Sequence, residues 1–489
     1  MKKNIIKASA FLLAFVLSLS AIGGILSYKF NDSTHKISSF YHLPRKSLDV
    51  LVLGTSHAFM GVNTASLWKN YGVAAFSLCG PVLPMWNAYY YLVEALKTQS
   101  PKVVVLDLFS LTQDFEYQKE EFAIKNTYGL RFSLTKLQSI KASFDMKQKD
   151  AYVHYFGLLQ THSRYSELNS VDWLPYYADE AQYKNFTGFQ YSLQTKADSE
   201  PDFSNVTGTQ EPAKKQLQYF KKILELSAKK KIPVMLTMIP YPHANANQYK
   251  MMRYGSELAK KEYGIATYDY INTLKKSVGL DYSKDFGDDS HLNWKGTLKL
   301  AKAMGKTLTT KYNVADRRGA KKYENTWGQN ASYIYNFFDN KKVPAITSAD
   351  DYVDVVNTER YLTVITYTLR SGKKTPTSIR TFLRSLNIPK EQYMQGGVWI
   401  LQGGAAQYYS NDRSDGYVKN IKLTKRILAH VETKPKKTEG KTENVYYIYY
   451  GGSAKMPSTY GLNIFVFDTF NQKVVDCVAV KGKDDTLYR

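Results

Sequence analysis

Two short stretches carry residues that together could move an acyl group. The first runs Asp49-Val-Leu-Val-Leu-Gly-Thr-Ser-His57: an apolar run from Val50 to Leu53 stops at Gly54, and Thr55, Ser56 and His57 follow. β-Formers bounded by glycine read as a buried strand. Gly54 permits a sharp turn at its C-terminal end, where open α/β sheets place their ligand sites. A hydroxyl held there becomes a nucleophile only if a base takes its proton. The second stretch, Asp288-Asp-Ser-His-Leu-Asn-Trp-Lys-Gly296, sets a carboxylate three positions before an imidazole, just ahead of an amphipathic helix. A carboxylate so placed holds the ring in one tautomer and stabilises its charged form. Ser56 as nucleophile, His291 as base and Asp288 as orienting acid thus make an acyl-transfer triad.

Each of these residues also has a plainer role open to it. Ser56 suits a turn or a helix cap, His291 could bind a backbone group, and Asp288 or Asp289 could cap the following helix. Spacing favours Asp288 as the orienting acid and Asp289 as the cap. His57 points the wrong way along the chain to serve Ser56 and is read as structural or substrate-facing. His57, Asp288, Asp289 and His291 match none of the usual ligand spacings, so neither a metal nor a cofactor is expected.

The elements that must position these residues follow a β-turn-α-β rhythm. Helices are expected at 64–71, 86–97, 212–231, 247–263 and 294–312, and strands at 73–78, 103–108, 233–240 and 265–271. Such alternation predicts an α/β fold, a doubly wound parallel sheet with helices on both faces, over residues 47–315. A Lys-, Tyr- and Gln-rich stretch at about 126–191 interrupts it and reads as an insertion or lid. Gly-x-Ser-x-Gly is absent because position 58 is alanine, which excludes the nucleophile elbow of α/β-hydrolases. Residues 316–345 read as a helical connector. Residues 346–489 change in composition and predict a smaller α+β domain of short strands, with lysine-rich Lys434 to Lys441 as a hairpin tip or loop.

The N-terminus, with Lys2, Lys3 and Lys7 ahead of an apolar run from Ala8 to Tyr28, has the form of an export signal. The run is long enough to cross a bilayer. Residues 1–30 are therefore read as an uncleaved signal anchor with its basic end inside, followed by a polar linker at 31–46. Cleavage near Ser18-Leu-Ser-Ala21, giving a secreted protein, is the alternative. The chain of 489 residues carries a formal charge of +23, which favours an anionic neighbour such as lipid headgroups or acidic wall polymers. No nucleic-acid motif is present, and none is expected as partner. Forty tyrosines suit a protein facing wet polar surfaces and sugars. Cys79 and Cys477 are expected as separate thiols rather than a disulfide.

Gly-x-Ser after an early strand, with Asp-x-x-His-x-Asn-x-x-Gly after a late one, resembles the SGNH (GDSL-like) hydrolase superfamily over roughly the first two thirds of the chain. The nearest flavour is its envelope branch, the DltD-like and alginate-acetylation-like proteins. The resemblance implies Ser56, Asp288 and His291 as catalytic residues, with the Ser56 amide and Gly80 as oxyanion donors. The family's third block supplies an asparagine, but Asp107 stands at that place. A third donor would then come from elsewhere, with Asn87 or Arg164 as candidates, and His162 in the same insertion could also reach substrate. The implied activity is an extracytoplasmic serine acyltransferase or esterase acting on O-acyl, chiefly O-acetyl, groups of a cell-envelope polysaccharide. A transferase would imply a multi-span membrane acyltransferase as partner. The alternatives are a non-catalytic glycan-binding or assembly protein on the same scaffold, and a DltD-like factor in D-alanylation of wall polymers. Gly461-Leu-Asn-Ile-Phe-Val-Phe-Asp468 resembles the interleukin-like EMT inducer domain, which implies a glycan- or protein-binding module.

Overall fold

The computed structural model describes residues 2–489 apart from 31, 169, 174–185, 439 and 483. The chain divides into two compact units, Met1–Ser332 and Tyr333–Arg489. It begins with α1 (Lys2–Leu26), an apolar helix whose side chains stand almost wholly exposed. At 1.5 Å per residue it measures roughly 37 Å, enough to cross a bilayer core. The stretch expected as a polar linker instead contains α2 (Thr34–Tyr41), which buries Ile37 and Phe40. Its polar residues misled because one of them, Lys36, points inward. The Lys36 ammonium lies 3.4 Å from the centre of the Phe59 ring, and burial pushes its pKa down to about 7.

The first unit is built on five parallel strands in the order β2-β1-β3-β4-β5. They are β1 (Val50–Leu53), β2 (Ala75–Ser77), β3 (Val103–Asp107), β4 (Val234–Met238) and β5 (Thr267–Asp269). Strands β1 and β3 are buried throughout, which is why they read as unbroken apolar runs rather than alternating ones. On one face Val50, Val52, Val103, Val105 and Met235 pack into a core with α3 (Ser56–Gly61), α4 (Thr64–Tyr71) and the late helix α10 (Trp294–Lys311). Alternation sends Leu51, Leu53, Leu106 and Leu236 to the opposite side, where α5 (Met85–Ala95) and α8 (Lys214–Lys229) lie against each other. Helix α9 (Ala246–Tyr263) joins β4 to β5. The insertion supplies α6 (Leu134–Ser143) and α7 (Gly157–Thr161); its remainder at 174–185 lies outside the described residues.

Residues 316–332, expected as part of a connector, belong to the first unit. Arg317 grips buried Asp49 through Nε and Nη2 at 2.7 and 2.8 Å, and the Trp327 indole donates to the Ala75 carbonyl at 2.8 Å.

The second unit is α+β. Its larger antiparallel sheet is formed by β6 (Tyr361–Tyr367), β7 (Gly397–Gln402), β8 (Ala405–Ser410), β13 (Leu462–Asp468), β14 (Lys473–Val480) and β15 (Leu487–Tyr488), in the order β15-β14-β13-β6-β7-β8. Helices α11 (Ala349–Val356) and α12 (Thr377–Ser385) cover one of its faces. The other face packs on a four-stranded sheet of β9 (Val418–Lys422), β10 (Leu428–Thr438), β11 (Lys441–Tyr450) and β12 (Ser453–Ala454), in the order β12-β11-β10-β9. The lysines from Lys434 onward do not form a loop. They lie on β10 (Leu428–Thr438), paired with β11 (Lys441–Tyr450) as far as Thr438 opposite Lys441. The stretch is thus the end of a hairpin, as one of its two expected forms had it, with the lysines on a solvated strand that tolerates charge. Cys79 and Cys477 are both free thiols.

Gly54 is a tight point between α3 and β3. A Cβ there would lie 2.8 Å from the Ala58 Cβ and 2.9 Å from the Asp107 Cβ. Gly54→Ala should cost about 1–3 kcal/mol through overpacking, visible as a lower thermal unfolding midpoint; an unchanged midpoint would mean that α3 can shift freely over β3.

Candidate active site

The site forms where β1 turns into α3. Thr55 caps α3, its hydroxyl accepting from the His57 amide, and Ser56 is the first helical residue. Its amide has no acceptor among the described hydrogen bonds, so it remains a donor for charge developing beside Oγ.

Residues 285–293 bring the partner groups from the other end of the unit. Phe286 bridges Leu292, the Gly287 amide donates to the His291 carbonyl at 2.9 Å, and the Asn293 amide donates to the Asp285 carbonyl at 2.9 Å. Asp288 to His291 sit at the tip of this hairpin. Asn293 fastens its base. Its Oδ1 caps α10 by accepting from the Lys295 and Gly296 amides. Its Nδ2 donates to the carbonyls of Lys284 and Phe286 at 2.8 and 3.1 Å. The helix cap is therefore Asn293, not Asp289 as spacing suggested. A second buried asparagine, Asn63, caps α4 and donates to Thr297 Oγ1 of α10 at 3.1 Å, tying the serine side to the histidine side.

With the two sides tied, Ser56 Oγ lies 2.8 Å from His291 Nε2, and His291 Nδ1 lies 3.0 Å from both oxygens of Asp288. A ring proton donated from Nδ1 to Asp288 leaves Nε2 to accept the Ser56 proton. Asp288 also accepts from the Ser290 and His291 amides, each at 2.8 Å. Partial burial pushes its pKa up, but these bonds outweigh it and hold the carboxyl below its ordinary value. Asp289 faces another way, pairing with the Lys196 ammonium. Its carboxylate, Asp198 and His243 bring potential ligand atoms within 4.8 Å of one another. His243 is already bonded to Asp198 at 2.8 Å, so the group is a small ion-pair cluster.

His57 lines the site without serving Ser56. Its ring centre is 4.0 Å from that of Phe109, 4.6 Å from Tyr241 and 5.5 Å from His291. Burial, then the neighbouring His291, push its pKa down to about 3, so the ring is neutral at working pH. Phe109 and Tyr241 went unremarked in the sequence. Their signal was position: each follows the C-terminal end of a parallel strand, β3 or β4.

The other expected contacts lie elsewhere. The Gly80 amide donates to the Gly54 carbonyl at 3.3 Å, extending the β1–β2 ladder, so it is spent and not an oxyanion donor. Glycine is required there for space, because a Cβ would come 2.0 Å from Asn126 Oδ1. Asn87 is buried between α5 and α6, donating to Ser139 and Ser143, each at 3.0 Å. His162 is exposed, bonded to the Leu159 carbonyl. Arg164 grips the carbonyls of Leu26 and Ser27 at 2.7 and 2.6 Å. None of these three turns its polar atoms to Ser56.

Asp107, at the tip of β3 beside Gly54, is fully buried. Oδ1 accepts from the Ile239 amide at 3.3 Å, while Oδ2 has no partner among the described residues. Burial raises its pKa to about 7, against the pull of the Ile239 and Phe109 amides. Near neutrality it is therefore partly protonated and can donate as well as accept. No protein-family model matches this chain, and no curated protein matches it either.

Because the folded Asp107 holds its proton up to about pH 7, it binds more protons than the unfolded chain between about pH 4 and 7, and stability falls as pH rises through that window. Asp107→Asn removes the effect. The variant's unfolding free energy should match wild type near pH 4 and exceed it at pH 7.5, by at most about 4 kcal/mol, with its thermal midpoint rising accordingly. Thermal melts of both proteins across this range check it, and a constant difference would place the titration elsewhere.

Proposed function

We propose that this protein is an SGNH-like serine acyltransferase or esterase of the cell envelope, anchored by α1, that moves O-acyl groups, chiefly O-acetyl, on a polysaccharide. The observation that carries the reading is the continuous chain of hydrogen bonds from Ser56 through His291 to Asp288. The reaction follows from that order. Ser56 Oγ attacks the acyl carbonyl as its proton passes to His291 Nε2. The tetrahedral oxyanion draws on the Ser56 amide. His291 then protonates the departing alcohol, leaving acyl-Ser56. A second hydroxyl gives its proton to His291 as it attacks the acyl carbon, and His291 returns that proton to Ser56 Oγ as the acyl–Ser56 bond breaks: water makes an esterase, a sugar makes a transferase. Asp288 stabilises the imidazolium at both stages. His57, Phe109 and Tyr241 present rings beside the reacting groups, a fitting wall for an acyl chain or sugar face.

The commitment of the Gly80 amide to Gly54, and Asp107 where the family places asparagine, favour a second reading. In it the scaffold binds glycan without turning it over.

A fluorophosphonate probe on the full-length protein separates the two. Wild type should become labelled at Ser56; Ser56→Ala should not. Asp288→Asn should keep the fold but label and hydrolyse p-nitrophenyl acetate about 10²–10⁴-fold more slowly. Equal labelling of wild type and Ser56→Ala would leave the binding reading standing.

A further inference from the structure

The insertion after β3 carries an unusual surface. Outside α1, twelve large hydrophobic residues are exposed among the described residues, and seven of them fall between positions 132 and 173. Phe132, Leu134, Phe156, Leu159, Tyr165 and Trp173 are 48% to 77% exposed. Soluble proteins seldom gather exposed apolar groups in this way without a partner for them. Phe132, Leu134 and Phe156 further line a shallow apolar groove of about 390 Å³, completed by Leu137, Tyr155, Gln138 and Lys141, with no carboxylate.

The same segment is fastened to the end of α1. Helix α7 and the turns His162–Glu167 and Ser170–Trp173 pack on α1. Arg164 donates to the carbonyls of Leu26 and Ser27, and Lys29 to that of Ile25 at 3.0 Å. Buried Asp172 bridges both cations, at 3.0 Å from Arg164 and 3.2 Å from Lys29. The last carbonyls of α1 thus have cationic partners inside the folded unit. The segment that carries these exposed phenylalanine, tyrosine, tryptophan and leucine side chains is thus the one that packs on an apolar, membrane-length helix. Aromatic and apolar side chains near the end of a spanning helix sit in the bilayer interface, where their apolar bodies leave water.

We infer that the surface from Phe132 to Trp173 is a membrane-docking face, seated in the lipid interface at the end of the bilayer that α1 crosses. The inference rests on α1 being a retained anchor but not on the chemistry at Ser56. A covering protein would need no such continuity with the anchor, so the lipid itself is the occupant.

The test uses full-length protein in phospholipid nanodiscs, with the photo-crosslinker p-benzoylphenylalanine in place, one at a time, of Phe132, Phe156, Phe15 within α1, and Phe470 of the second unit. After irradiation, mass spectrometry should find lipid adducts at positions 15, 132 and 156, and none at 470. Adducts at 15 but not at 132 or 156 overturn the docking face and leave the anchor intact. No adduct at 15 overturns the anchor and the docking face with it. Protein adducts at 132 and 156 in place of lipid assign the surface to a protein partner and overturn the inference. All four positions expose their side chains, so the replacements should leave the fold intact, which an unchanged unfolding midpoint verifies.

Discussion

The hydrogen bond between Ser56 and His291 joins residues 235 positions apart, and it depends on one buried amide. Asn293 offers both lone-pair and N–H sides at once, capping α10 with its oxygen and gathering the loop carbonyls with its nitrogen. Aspartate there could cap but could not donate; glutamine would reach too far. Asn63 makes the complementary tie from the serine side. These two asparagines convert a long-range pairing into a local one: once α4 and α10 pack, the hairpin tip has one place to go. Gly296 fits the same logic, since a Cβ there would come 2.3 Å from the Asp285 carbonyl.

Around this frame the protein buries groups that prefer to be charged. His57 and Asp107 lie beside the Ser56 turn, and Lys36 lies over Phe59 on α3. In each case burial moves the pKa toward the neutral form, to about 3, 7 and 7 respectively. Neutral groups cost far less to bury than ions, which explains how they coexist with an apolar core. The low dielectric that neutralises them also strengthens the Ser56–His291 contact nearby.

Much of this was legible in the sequence, and the failures have physical causes. Ser56, Asp288 and His291 were readable because strand, turn and short spacing are local properties, and the parallel sheet followed from the β-turn-α-β rhythm. Asn87 and Arg164 were misplaced because a polar residue on a helix does not say which neighbour it meets; one satisfies Ser139 and Ser143, the other the end of α1. Gly80 was read as a donor when its lack of a side chain was the point. Helix α2 was missed because an inward lysine disguised its apolar face. Lys434 to Lys441 do end a hairpin, but composition does not separate its solvent-facing strand residues from those of a loop.

The connection between α1 and the sheet limits where this protein can work. Helix α1 ends at Leu26 and β1 begins at Val50, with packed α2 between them, so no long flexible tether separates the apolar helix from the Ser56 turn. Were α1 seated in a bilayer, the Ser56 turn would be held within a short chain distance of its surface, as a lamp on a bracket and not on a cord.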